Sequence, residues 1–179
     1  MSDLIRRQPS GITRSGSTLA FQPQLLRELL AFVLDGESYA LPLYAIREIL
    51  KVPPITEVPR AGADVLGIIG VRGRITTVLD MRRLLRVAEA PITKASRVLL
   101  ADDGVEVLGL LVDQVLQVHR LQDDEIEIAS AFAGNVSEHV LGIGRPRASR
   151  SVSREGREAV DPNDILILLD PAHLLRRDR

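Results

Sequence analysis

The chain contains no cysteine, which excludes a disulfide framework, a thiolate metal site and a cysteine nucleophile in one step. That fits a reducing cytoplasm. Aromatic residues are scarce as well, with two Tyr, three Phe and no Trp. Small barrels that bind single-stranded nucleic acid stack bases on aromatic platforms, and few rings are left here once a core is supplied. The formal net charge is only −1, so general attraction to nucleic acid has little to act through. No apolar run approaches the roughly 18 residues of a membrane-spanning helix, and residues 1–20 lack the apolar middle of a signal peptide. The expectation is a cytoplasmic protein without direct membrane insertion, and no nucleic-acid partner.

What is present belongs to the globular class: 45% apolar and 26% charged residues in a chain of 179, long enough to bury about two-thirds of its unfolded surface. Residues 1–28, with Pro9, Gly11, Gly16 and scattered Ser, Thr and Arg, read as a flexible tail. An apolar run at 29–34 followed by Asp35-Gly36 and a return at 37–41 signals a hairpin. Leu43, Ile46, Ile49 and Leu50 then recur at three- and four-residue spacing, which predicts a short helix over 43–50 opened by Pro42. Pro53, Pro54 and Pro59 make 52–63 an extended connection.

Residues 65–85, V-L-G-I-I-G-V-R-G-R-I-T-T-V-L-D-M-R-R-L-L, carry two apolar, β-branched strands joined at Arg72-Gly73. A long cationic side chain is thereby held at a tight turn. Asp80 is placed to cap a helix over 81–85. A second Asp-Gly hairpin follows at 97–112, then an acidic stretch at 123–127. Two last strands are predicted at 140–143 and 164–169, with a helical turn at 172–175. Between them, at 145–163, lies a polar insertion with Arg145, Arg147, Arg150, Arg154 and Arg157, too poor in apolar residues to order itself alone.

The chain repeats itself. Residues 30–49 match 98–115 as strand, Asp-Gly turn, strand and apolar segment. Val65-Leu66-Gly67-Ile68 recurs as Val140-Leu141-Gly142-Ile143, and Val78-Leu79-Asp80 with Leu84-Leu85 recurs as Leu168-Leu169-Asp170 with Leu174-Leu175. A duplicated set of short hairpins suggests two small β-barrels sharing an apolar interface, because one barrel of that size has a thin core. A single β-sandwich with similar turns is the other architecture compatible with the pattern.

Several constellations point away from chemistry. Asp80 and Asp170 could be paired carboxylates for acid-base work, but their duplicated placement favours helix capping. His119, His139 and His173 lack the i, i+4 spacing of a helical metal site. Gly67, Gly70 and Gly73 lie within and between two strands, whereas a dinucleotide fingerprint opens a helix.

With residues 29–177 placed this way, the order of motifs resembles the CheW-like domain family. Those motifs are L-L-A-F-V-L-D-G-E-S-Y-A-L-P, A-I-R-E-I-L, a V-P segment, G-I-I-G-V-R-G with I-T-T-V-L-D, G-L-L-V-D-Q-V, and L-G-I-G with I-L-I-L-L-D. The resemblance implies a mainly β fold of two intertwined five-stranded Src-homology-3-like barrels sharing a hydrophobic core, with a few short helices. It also implies a non-enzymatic scaffold with no cofactor and no metal. The implied partners are the cytoplasmic tip of chemoreceptors and the regulatory domain of a CheA-type histidine kinase, with ring assembly with the kinase or with itself open. By motif, Arg72 and Gly73 match the family's Asn-Leu-Arg-Gly turn, with Gly70 in place of the asparagine. Ile46, Glu48 and Ile49 match a helix bordering the inter-barrel groove, and Val115 falls on the matching segment of the second half.

A guanidinium offers five planar donors and a permanent charge, suited to carboxylates or exposed helix carbonyls. On spacing alone Ile46 and Ile49 are core or groove wall, and Glu48 is a solvated acid or a partner for Arg47 or Arg72. The alternative function is a nucleic-acid or other anion-binding protein acting through the Arg-rich insertion. A hydrolase built on Asp80, Asp170 and a histidine is a more distant one.

Overall fold

The computed structural model describes residues 28–102, 104, 106–128, 138–147, 150–152, 158–160 and 165–176. The N-terminal tail expected at 1–28 therefore lies, but for Glu28, outside the described residues. The chain opens with β1 (Glu28–Leu34) and β2 (Glu37–Pro42). They are joined through Asp35 and Gly36 with φ of 53° and 82°, the left-handed pair that matches strand twist in two-residue hairpins. Next come a 3₁₀ turn (Leu43–Ala45) and β3 (Ile46–Lys51).

Here the structure departs from the sequence reading, because the helix expected over 43–50 is a turn followed by a strand. Burial alternates along β3, with Ile46, Glu48 and Leu50 half-buried and Arg47, Ile49 and Lys51 exposed. Its ladder to β6 supplies the hydrogen bonds that an isolated two-turn helix could not sustain against its nucleation cost.

After the proline-rich connection come β4 (Val65–Val71), β5 (Arg74–Asp80) and α1 (Met81–Leu85). The second copy contributes β6 (Arg97–Asp102), β7 (Val107–Val112), β8 (Gln114–Arg120), β9 (Ile126–Ile128), β10 (Val140–Gly144), β13 (Leu166–Leu169) and α2 (Pro171–Leu175). Within the insertion, β11 (Arg150–Val152) and β12 (Glu158–Val160) pair antiparallel as a sheet of their own. Part of that segment is thus paired as a two-stranded ladder, and most of the remainder lies outside the described residues. Asp80 caps α1 as expected, accepting from the Arg82 amide at 2.9 Å, and Asp170 does the same for α2 through Ala172.

One sheet runs β8-β1-β2-β13-β10-β9 and the other β3-β6-β7-β5-β4. The copies are exchanged between them, since β3 of the first copy pairs with β6 of the second and β8 of the second pairs with β1 of the first. Each sheet is joined through one parallel pair in its interior, β2 with β13 and β5 with β7. The six-stranded sheet has one strand more than expected, β9. Its counterpart in the other sheet is a single bridge, Thr56 to Ile68.

Three apolar clusters follow from this arrangement. Leu29, Ala31, Leu121, Leu166 and Leu168 fill one barrel, and Ile69, Val78, Val98, Leu100 and Leu111 fill the other. The largest cluster lies between them, with Leu30, Phe32, Leu41, Leu79, Leu99, Leu110 and Leu169 among its members. A single sandwich would have one such layer. Because β1, β6 and β7 are buried on both faces, they read as continuous apolar runs without a clean alternation.

Candidate functional site

Arg72 and Gly73 close the β4–β5 hairpin with φ of 48° and 79°, and the strands remain in register up to the Val71–Arg74 pair. A Cβ on Gly73 would meet nothing within 4 Å, so its role is conformational: positive φ is strained for any side chain. The turn holds the guanidinium beside β3, where Arg72 Nη2 donates to Glu48 Oε1 at 2.9 Å. A bulge in the β3–β6 ladder between Ile46 and Glu48 re-aims the strand at this point.

The two side chains differ in exposure, 80% for Arg72 and 31% for Glu48. Such a pair is worth about 0–1 kcal/mol to the fold, and the acid orients the guanidinium while leaving most of its donors to solvent. Arg47, next to Glu48 in sequence, pairs instead with Asp102 on β6.

The apolar candidates divide. Ile46 on β3 and Val115 on β8 are half-buried and pack against the shared core, each on the edge strand of its sheet. Ile49 is 42% exposed and points away from that core. The structure therefore joins Arg72 to Glu48, sets Ile46 and Val115 on the strands flanking the common core, and leaves Ile49 to solvent. Further along β8, Leu116 and Val118 are exposed, as are Tyr44 and Ile75. The sequence reading had singled out none of these four as site residues. Exposed apolar side chains on an edge strand are a signal only once the edge is known.

Gly70, facing Ile75 across the hairpin, is exposed, and a Cβ there would meet nothing within 4 Å. The space for a side chain at this position is present and unused.

A second polar centre was not foreseen. Arg82 on α1 forks onto Asp113, Nε to Oδ1 at 2.8 Å and Nη2 to Oδ2 at 2.5 Å, and its Nη1 reaches Asp35 at 3.5 Å and the Ala88 carbonyl. Burial by itself would raise the Asp113 carboxyl. The Arg82 fork and the Asp35 amide override it and hold the group below the usual aspartate value. The Asp113 carboxylate, with a lesser contribution from that of Asp35, in turn raises Arg82 further above its already high value. The only sequence trace of this centre was the acid ending the apolar run G-L-L-V-D.

The basic insertion begins in an acidic clasp. Arg145 pairs with Glu127 at 2.5 Å and Arg147 with Asp124. Glu125, 7% exposed, accepts from the Gln122 and Arg147 amides at 2.7 and 2.5 Å. Two of the five arginines that suggested anion binding are thus already neutralised. Asp170 accepts from its own helix and contacts His173 Nδ1 at 2.6 Å, a capping arrangement. Among the described residues no cluster of three or more His, Asp or Glu could hold a metal ion.

The family model described as CheW-like domain matches residues 28–179. The chain belongs to the CheW-like domain family. The chemotaxis protein CheW of Rhizobium meliloti (strain 1021) is 34% identical over 121 residues, 65% of this chain and 78% of that protein. Protein FrzA of Myxococcus xanthus is 29% identical over 125 residues, 70% of this chain and 78% of that protein. The crystal structure of the scaffolding protein TtCheW from Thermoanaerobacter tengcongensis superposes with a TM-score of 0.67 at 23% identity, covering 80% of this chain and 88% of that one. That likeness confirms the fold of two Src-homology-3-like barrels in CheW proteins.

Proposed function

We propose that this CheW-like protein is a non-catalytic adaptor of chemosensory signalling that joins the cytoplasmic tip of chemoreceptors to the regulatory domain of a CheA-type histidine kinase. Membership of the CheW-like family supports the scaffold role, and the names of its relatives support a place in chemotaxis. The receptor contact is assigned to Arg72, oriented by Glu48 and held on the Gly73 turn, with Ile46 and Val115 as apolar walls beside the shared core and Ile49 as an exposed contact. The observation that carries this reading is the Arg72–Glu48 pair, a mostly exposed guanidinium fixed at a rigid turn. Arginine is over-represented among interface residues whose truncation costs ~2 kcal/mol or more of binding energy.

The protein works in the cytoplasm in this reading and is recruited to receptor arrays, in rings formed with the kinase or with further copies of itself. No helix among the described residues is long and apolar enough to cross a membrane, so recruitment rests on partners. The experiment is co-sedimentation of the purified chain with receptor-containing membranes and kinase. Arg72→Glu is expected to retain the β-rich circular dichroism signal and lose sedimentation. Sedimentation equal to that of the unaltered chain would remove the assignment.

A further inference from the structure

Among the described residues the chain passes from one sheet directly into the other twice, and the two crossings are built differently. From β7 to β8 the crossing is a single residue, Asp113. Its amide donates to the Val33 carbonyl at 3.2 Å, its carboxylate accepts the Arg82 fork, and Oδ2 also accepts the Asp35 amide at 2.9 Å. Val33 belongs to the six-stranded sheet and Asp35 to the hairpin turn at its end, whereas Arg82 follows β5 of the five-stranded sheet. Asp113 is therefore bonded to both barrels at the point where the chain changes hands. The Arg82 side chain is only 11% exposed, so separating the pair would strand a charge away from water.

From β2 to β3 the crossing is the 3₁₀ turn Leu43–Ala45, which carries no charged side chain and no side-chain cap bond. Tyr44 is 62% exposed there. The internal repeat makes the contrast positional: the matching ladders Leu30–Leu41 and Leu99–Leu110 put Tyr44 where Asp113 stands in the other copy, and Ala172 stands where Arg82 stands. Both partners of the clasp are missing from the second crossing.

We propose that the Arg82–Asp113–Asp35 clasp is the pivot that sets one barrel against the other, and that the separation of the edge strands β3 and β8 changes by movement at the uncharged Leu43–Ala45 crossing. Each of these strands is held by a ladder on one side only and they belong to different sheets, so a rotation of one barrel against the other changes their separation. The barrels do not come apart in this motion, because the largest apolar cluster lies between them. The adaptor acquires a hinge with one stiff and one compliant corner.

The absence of cysteine makes the test direct. Spin labels on Lys51→Cys of β3 and Gln117→Cys of β8, both exposed positions, report the strand separation by double electron–electron resonance without any partner. The unaltered clasp is expected to give a single narrow distance distribution. Arg82→Gln in the same labelled chain is expected to broaden it at least twofold at an unchanged circular dichroism spectrum. In hydrogen exchange, amides 43–46 are expected to exchange at least tenfold faster than 113–115, a difference that Arg82→Gln reduces. Should Arg82→Gln fail to fold, Arg82→Lys keeps the charge without the planar fork and is expected to broaden the distribution partly. An unchanged distribution in a folded Arg82 variant would overturn the proposal, and so would equal exchange at the two crossings in the unaltered chain.

Discussion

The hairpin β4–β5 and its counterpart β10–β13 are the same object in two conditions. Both have a register shift at the same place, between Val65 and Gly67 and between Val140 and Gly142. Both have a glycine over which another backbone passes: a Cβ on Gly67 would overlap the carbonyl oxygen of Thr56, and one on Gly142 that of Glu127. Both lead through a capping aspartate into a five-residue helix. Yet the first is closed by the two residues Arg72 and Gly73, while the second is interrupted by the insertion carrying β11 and β12. The comparison teaches that the ladders, close-packed glycines and helix caps are duplicated, whereas the Arg72-Gly73 turn and the Arg82–Asp113 clasp are not.

The duplicated parts should be the costliest to disturb. Gly67→Ala and Gly142→Ala are each expected to lower stability by about 2–4 kcal/mol, because the obstructing atom is backbone and cannot rotate away. Denaturant unfolding measures both. A large loss at one position with none at the other would break the equivalence of the two hairpins.

The clasp is expected to have a smaller, pH-dependent effect. The Asp113 carboxyl is held below its ordinary value, so its stabilisation is complete above about pH 3.9, the value for an unperturbed aspartate. It is lost as the pH falls through the depressed native value. Melting temperatures of the chain and of Asp113→Asn should therefore differ clearly at pH 6 and converge towards pH 2. A constant difference would show that Asp113 acts through shape and not through charge.

Gly70 marks the smallest effect. Gly70→Asn restores the side chain expected at this turn and has open space to occupy, so stability should change by no more than about 0.5 kcal/mol. A gain in co-sedimentation with receptor would sharpen the distinction between the two hairpins. A loss would place the bare backbone itself in the contact.

Much of this was legible beforehand, for reasons visible in particular residues. Asp35-Gly36 and Arg72-Gly73 announce tight turns because few residues tolerate left-handed φ, and Asp80 and Asp170 announce helices because their carboxylates satisfy orphaned amides. β3 was misread because Ile46, Ile49 and Leu50 fit a helical spacing as well as a strand, and six residues are too few for periodicity to decide. Its true pattern depends on β6, which lies some fifty residues further on. The Arg72–Glu48 pair was one of two options for the acid. Which arginine it took followed from the bulge at Arg47 and from where β4 ends.

The amino-acid sequence by itself determined most of the long apolar strands, the turns, the helix caps and the duplication, all of which depend on neighbours a few residues apart or on plain self-similarity. Tertiary structure alone decided that the copies exchange strands and that the apolar runs serve two cores at once. It also decided that Asp113 meets Arg82 and Asp35 at a crossing between barrels. The physical reason is range. Turn and cap energies are local, while the burial of a charge and the choice of a strand's partner depend on which distant surfaces remain to exclude water.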